Sequence, residues 1–363
     1  MNLKTTPLNR IHHRLGARMI DFAGWEMPVQ YESALTEHHR VRQAVGVFDV
    51  SHMGRFEVTG RDALAFVQRM TCNDVARLSD GQAQYSAFLT PEGTFIDDIV
   101  VYRFDAQRVF ICVNAATCAK DYAWLLEYRS GECNLVDRSS EYAQLAVQGP
   151  RAIGVLQKLT PVDLSAIKFY WFTEGQIAGV RAILSRTGYT GEPGYELYVP
   201  SEDAEKIWEA VFEAGKPADI CPAGLACRNS LRLEMKYPLY GNDIDETTTP
   251  YEAGLGWIVK LGTGFIGENV LERQKSEGVA RRLVGFQMVD PGIARDGFPV
   301  FLDGDSVGHA TSGGFSPSLG KSIGLVYLPV DRSTPGTEIE IEIRGKHRRA
   351  QVVKTPFYQP KQV

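Results

Sequence analysis

No apolar run in this sequence approaches the ~20 residues that a membrane-crossing helix requires, so no membrane is expected as a partner. Positive charge is not in excess either: 39 Lys and Arg stand against 44 Asp and Glu, a formal net charge of -5. That balance gives no electrostatic footprint for a nucleic acid or an anionic lipid surface. Six cysteines (Cys72, Cys112, Cys118, Cys133, Cys221 and Cys227) are thinly spread, and none forms a CxxC pair. Neither a zinc knuckle nor a redox dithiol is indicated; reduced, packing thiols in a cytosol are the expectation. His12-His13 and His38-His39 are adjacent pairs whose side chains would diverge on a helix, and no HExxH supports them, so no metal is expected. A GxSxG elbow and a Walker glycine loop are also missing. The opening MNLKTTPLNRIHHRLGARM is basic and poor in acids, as transit peptides are. Folded-looking sequence, Asp21-Phe22-Ala23-Gly24-Trp25, follows it at once.

What is present suits a globular chain of two or three domains: 363 residues, 44% hydrophobic and 23% charged. Ser201 ahead of Glu202 and Asp203 reads as a helix N-cap with acids at the positive end of the dipole. Ala204, Ile207, Trp208, Val211 and Phe212 then recur at helical spacing, up to Gly215. A second helix is expected from near Pro222, with Arg228, Leu231, Arg232 and Met235 along one face, ending before Pro238. Gln82 to Asn114 reads as a strand meander broken at Pro91-Glu92-Gly93 and at Asp105-Ala106-Gln107. A strand-into-helix phrase occurs twice, Phe56–Gly60 into Asp62-Ala63 and Tyr195–Val199 into Asp203-Ala204, which points to two similar α+β subdomains. Beyond residues 274–278 the chain turns to short strands (Leu283–Met288, Ile323–Leu328, Glu338–Ile343) with Gly, Pro and Asp turns. The expected organisation is α+β over residues 1–275, then a small β-barrel or sandwich over 280–363.

Gly262-Thr263-Gly264-Phe265-Ile266-Gly267 has the form of a dinucleotide fingerprint, with Asp290 near the spacing of a ribose-binding acid. No βαβ series follows it, and the residues after it are polar. A glycine-rich connector, and no bound nucleotide, is the expectation. Asp97 and Asp98 carry more information. On a regular strand Asp98 shares a face with Ile96, Val100 and Tyr102, while Asp97 sits with Phe95, Ile99 and Val101. A carboxylate among apolar neighbours must find a donor or have its pKa raised, and either state suits catalysis or ligand binding. Asp97, on the other face, is expected to point away from the ligand that Asp98 meets. The loop Arg186-Thr187-Gly188-Tyr189-Thr190-Gly191-Glu192-Pro193-Gly194-Tyr195-Glu196 adds glycines for close backbone approach, an aromatic ring and carboxylates. Such a set can stack on and hydrogen-bond a flat heterocycle.

With these residues the chain resembles, from end to end, the T-protein (aminomethyltransferase) family of the glycine cleavage system. The resemblance rests on Thr6-Pro7-Leu8, Asp21 through Pro28, Phe48-Asp49-Val50-Ser51-His52-Met53-Gly54, the Asp97-Asp98 strand, and the 186–192 loop. It continues through Leu231-Arg232-Leu233-Glu234, Leu239-Tyr240-Gly241, and Thr311-Ser312-Gly313 with Phe315-Ser316-Pro317. It implies two related α+β subdomains clasping folate, a C-terminal β-barrel, and cytoplasmic enzymes of bacterial type. The implied reaction moves a one-carbon unit from the aminomethylated lipoyl arm of H-protein to tetrahydrofolate, releasing ammonia. By the family pattern Asp98 is the catalytic acid, Glu196 holds the pterin edge and Arg228 binds folate. Met53, Tyr85, Val100, Tyr102, Asn114, Tyr189 and Tyr237 match pocket positions. Two departures stand out: Asn229 replaces an acid next to Arg228, and Gln84 replaces an aliphatic residue before the pocket tyrosine. The competing readings are a folate-dependent demethylase on the same fold and a non-catalytic folate-binding protein. Retention of Asp98, Glu196 and Arg228 argues against the second, and the near-complete motif series against the first.

Overall fold

The computed structural model describes residues 3–360. The predicted meander forms: Gln82–Leu89, Phe95–Asp105 and Arg108–Val113 pair antiparallel, and Gly54–Thr59 and Asn134–Asp137 complete a five-stranded sheet. A six-stranded sheet runs Phe172–Ile177, Val180–Ser185, Gly194–Pro200, Tyr142–Gln148, Val45–Asp49, Ile220–Pro222, parallel only at the last pair. Each sheet holds one of the two strand-into-helix phrases, ending in the helices Ala63–Met70 and Ala204–Gly215. Each of these helices buries its apolar stripe on the outer face of its sheet: Phe66 and Val67 beside Val58 and Ile111, Ile207 and Trp208 beside Leu145 and Leu197. The inner faces meet through Tyr102 and Phe110 of one sheet and Phe172, Ile183 and Tyr198 of the other.

The tail closes as a six-stranded barrel between Arg281 and Val353, filled by Phe286, Val300, Leu328 and Ile341. The helix Leu225–Glu234 joins it to the rest. From this helix the fully buried Arg232 reaches Asp243 at 2.6 Å and Ser312 of the barrel at 2.8 Å, and Thr311 donates to the same Asp243 at 2.6 Å. Several of the matched sequence motifs are therefore a clasp between domain and barrel.

Three local expectations change. Ser201 begins a single 3-10 turn and donates its hydroxyl to the Ser140 carbonyl instead of capping the helix. Pro222 ends a short strand, and the next helix begins at Leu225 after Gly224. A β-bulge at Ile96 breaks the alternation, with Phe88 opposite Asp97 but Leu89 opposite Phe95. Ile96 consequently packs with Ile99 and Val101, and Phe95 joins the Tyr85 and Ala87 side. Asp98 keeps Val100 and Tyr102 as face-mates but not Ile96. The 262–267 glycines, all with φ between 80° and 88°, curl their amides onto a side chain of the chain itself. Gly262, Thr263 and Gly264 all donate to the Glu268 carboxylate, which fills the nest a phosphate would need.

Candidate active site

A cavity of about 570 Å³ opens between the two sheets and is closed by residues 235–240, by residues 253–255 with Trp257, and by Thr355 and Pro356. All ten residues singled out in the sequence line it: Asp98, Met53, Tyr85, Val100, Tyr102, Asn114, Tyr189, Glu196, Arg228 and Tyr237. They come from strands of both sheets, from loops beside those strands (Met53, Asn114 and Tyr189), from the Leu225–Glu234 helix and from the turn after it, so only the closed fold brings them together.

Asp98 stands on one wall. Tyr85, on the neighbouring strand, donates its hydroxyl to Asp98 Oδ2 at 2.9 Å, and the Asn114 side-chain amide donates to Oδ1 at 2.9 Å. Burial first, then the negative charge of Asp97, push the Asp98 pKa up to about 7; both donors work against that rise. Asp97 does turn away from the cavity, into full burial. It is not independent, however. Its carboxylate accepts from the Asn114 backbone N–H at 2.9 Å and from the same side-chain amide at 2.8 Å. One asparagine thus couples two acids that strand alternation separates.

On the opposite sheet Glu196 accepts from Thr187 Oγ1 at 2.6 Å and from Gln144 Nε2 at 3.1 Å. Gln144 also donates to the Tyr198 hydroxyl, which shares a 2.8 Å bond with that of Tyr102. Gly188 in the adjacent loop has no room for a side chain, since a Cβ there would lie 2.0 Å from Gln148 Oε1. Arg228 lies 4.5 Å over the ring of Tyr189, which stacks on Tyr237 at 5.7 Å. Burial draws the Arg228 guanidinium below the usual arginine range, opposed by Tyr189 and Glu196. Asn229, the departure next to it, accepts from Arg232 Nε at 2.8 Å. It therefore serves the clasp and not Arg228. Gln84 turns aside to the Asp74 carbonyl at 3.2 Å.

Sequence reasoning missed Gln144, Tyr198, Tyr170, His52 and Trp257. Tyr198 was within reach, because it stands two residues beyond Glu196 on one strand face. His52 lines the wall as a neutral imidazole, its pKa drawn down to about 3 by burial. Trp257 is exposed at the rim and stacks on Tyr85 at 5.9 Å. No local pattern marks Gln144, Tyr170 or Trp257, and His52 stood in a matched motif without a role. Among the described residues no group of three His, Cys, Asp or Glu is arranged to hold a metal ion. No helix among them is long and apolar enough to cross a membrane.

The comparisons with known proteins agree with this geometry. Residues 8–263 match the family described as the GCVT N-terminal domain, and residues 281–359 match the glycine cleavage T-protein C-terminal barrel domain. Two clasped sheets with a barrel behind them thus place the chain in the GCVT class. It is 50% identical to an aminomethyltransferase of Geobacillus sp. (strain WCH70), over 98% of this chain and 99% of that one. It is 47% identical to an aminomethyltransferase of Desulfitobacterium hafniense (strain Y51), over 98% of each. The crystal structure of the glycine cleavage system aminomethyltransferase T from Bartonella henselae superposes with a TM-score of 0.93 at 34% identity, over 99% of both chains. The chain belongs to the aminomethyltransferase family, the T-proteins of the glycine cleavage system, and is an enzyme.

Proposed function

We propose that the cavity between the sheets takes tetrahydrofolate, and that lipoylated H-protein delivers the aminomethyl group to it. The observation that carries this reading is one carboxylate on each wall: Asp98 held by Tyr85 and Asn114, and Glu196 held by Thr187 and Gln144. Glu196 is fixed to accept the adjacent N–H donors of a pterin edge. Arg228, a cation on the face of Tyr189, attracts the carboxylates of the folate tail. Asp98 then lies on the side of the attacking nitrogens.

In the reaction the methylene carbon loses its bonds to the amine nitrogen and the lipoyl sulfur, and gains bonds to two folate nitrogens. The two N–H protons end on ammonia and on the lipoyl thiol. Asp98, with a pKa near neutrality, is suited to accept a proton from an attacking nitrogen and return it to a leaving group. Tyr85 and Asn114 hold the carboxylate still while it does so, and the apolar walls limit competing water. We place the reaction in the cytoplasm, where six free cysteines, four of them buried, persist as thiols.

The test is ammonia release from aminomethylated H-protein, with and without tetrahydrofolate. Release that depends on tetrahydrofolate and yields 5,10-methylenetetrahydrofolate supports the reading. Release indifferent to folate, or demethylation of a small methylated amine at a comparable rate, contradicts it.

A further inference from the structure

Asp121 has no role in the reaction as described, yet it is fully buried in the first turn of the helix Cys118–Glu127. Neither of its carboxyl oxygens receives a hydrogen bond from an N–H or O–H of the described residues. The Thr117 hydroxyl lies beside it, but its one hydrogen goes to the Asn114 carbonyl at 3.1 Å. What faces Asp121 is the carboxyl of Asp97, itself fully buried. Two buried carboxyls in contact with no cation between them cannot both be ionised; they share one proton.

The donors around the pair decide which acid keeps that proton. Asp97 accepts two hydrogen bonds from Asn114, at 2.9 and 2.8 Å, which favour its anion. Asp121 accepts none, so it is the neutral acid and donates to Asp97.

We propose that Asp121 is a positioning residue of the transfer reaction, a buried proton donor that keeps Asp97 an anion and through it holds Asn114, and hence Asp98, in place. The Asn114 amide has two hydrogens for three acceptors: Asp97 Oδ1, Asp98 Oδ1 and the Asp98 carbonyl. Its orientation depends on Asp97 being an acceptor. If Asp97 took the proton itself, one of its two oxygens would become an O–H facing an Asn114 donor and the other would accept only as a neutral carbonyl, so the amide would be held less firmly. The same change would remove the like charge that raises the Asp98 pKa. The other titratable groups facing this chain are Tyr85, Tyr170 and Tyr189 near Asp98, and Tyr240 and Cys118 near the Asp97–Asp121 pair. Lys120, adjacent on the helix, turns to Glu246 and Tyr240, each at 2.7 Å.

The proposal rests on the reading of Asp98 as the catalytic carboxylate, so its test reads Asp98 directly. Carbon-13 labelled aspartate gives a carboxyl titration for Asp98, assigned by its loss in Asp98→Asn. Asp121→Leu removes the donor at similar volume, while Asp121→Asn keeps an N–H donor that cannot titrate. In Asp121→Leu loss of the Asp97 charge lowers the Asp98 midpoint and loss of the Asn114 donor raises it by about one to two units, so the net shift should be upward by up to about one unit. The turnover number for ammonia release should fall by about 10²-fold as the amide loses its register. Asp121→Asn should restore both. A folded Asp121→Leu with the wild-type midpoint and turnover overturns the proposal, and so does an Asp121→Asn no better than the Leu variant. The titration measures the coupling whether or not Asp98 acts in transfer; the kinetics of Asp98→Asn settle that question separately.

Discussion

Asn114 Nδ2 stands 2.8 Å from Asp97 Oδ1 and 2.9 Å from Asp98 Oδ1, so one amide bridges carboxylates on opposite faces of a strand. Together with Tyr85 it supplies every side-chain hydrogen bond the Asp98 carboxylate receives among the described residues. Both donors favour the anion. Tyr85→Phe and Asn114→Ala should therefore each raise the Asp98 pKa above its value of about 7. A hydrogen bond to a charged group is worth about 1.5–3 kcal/mol, which corresponds to roughly one to two pH units. The pH–rate profile of ammonia release checks this.

The same raised pKa makes a stability prediction. Asp98 titrates higher in the folded chain than when unfolded, so folding favours its protonated form. Its contribution is fully present below about pH 4 and is lost as the pH rises through about 7. Asp98→Asn, which cannot ionise, escapes that loss. Thermal unfolding of the ligand-free protein should show the variant gaining on wild type between pH 4 and pH 8. A constant difference across that range would mean that the folded environment does not disfavour the anion.

Glu196→Ala should weaken tetrahydrofolate binding by roughly 1.5–3 kcal/mol, since it removes a charged acceptor from heterocycle N–H groups. It also removes the carboxylate acceptor of Thr187 Oγ1 and Gln144 Nε2, leaving them Ser185 Oγ and the Tyr198 hydroxyl as partners in the apo protein. Calorimetric titration with tetrahydrofolate measures the effect, and circular dichroism confirms the fold. Unchanged affinity in a folded variant would remove Glu196 from the pterin site.

How much of this was legible in the sequence depended on whether the signal was local. The meander, the barrel strands and both strand-into-helix phrases follow from period-two and period-3.6 patterns interrupted by Gly, Pro and Asp. Asp98 was legible for the same reason, as an acid inside an apolar strand. The bulge at Ile96 was not, because a single unpaired residue leaves no mark on the alternation. Arg228 gained its role only through the family resemblance, its own neighbourhood reading as an ordinary helix, while Glu196 was legible only as one of the carboxylates of a glycine-rich loop until the resemblance singled it out. Gln144 and Trp257 reach the cavity by long-range pairing, Gln144 opposite Tyr198 and Trp257 against Tyr85, which no local window contains. Arg232, matched as a family motif, proved to be structural.

That clasp carries its own prediction. Asp243→Ala leaves the guanidinium of Arg232 buried without its 2.6 Å carboxylate partner, and Thr311 with only the Leu325 carbonyl at 3.3 Å. Removing one member of a buried ion pair costs about 3–5 kcal/mol. Denaturant unfolding should show a loss of that order, together with loosening of the barrel detectable by hydrogen exchange. A loss below about 1 kcal/mol, the range of exposed pairs, would mean that the clasp is not closed in solution.

The most direct test of the account is single-turnover transfer from aminomethylated H-protein by Asp98→Asn at saturating tetrahydrofolate. Asp and Asn are nearly the same size, and the amide can still accept from Tyr85, but it carries no charge and exchanges no proton. A positioned acid–base group supplies about 10²–10⁴-fold in rate, so a loss in that range with folate affinity largely kept is the predicted result. Transfer at the wild-type rate would contradict it, leaving Asp98 a structural carboxylate and catalysis to the proximity of folate and the lipoyl arm alone.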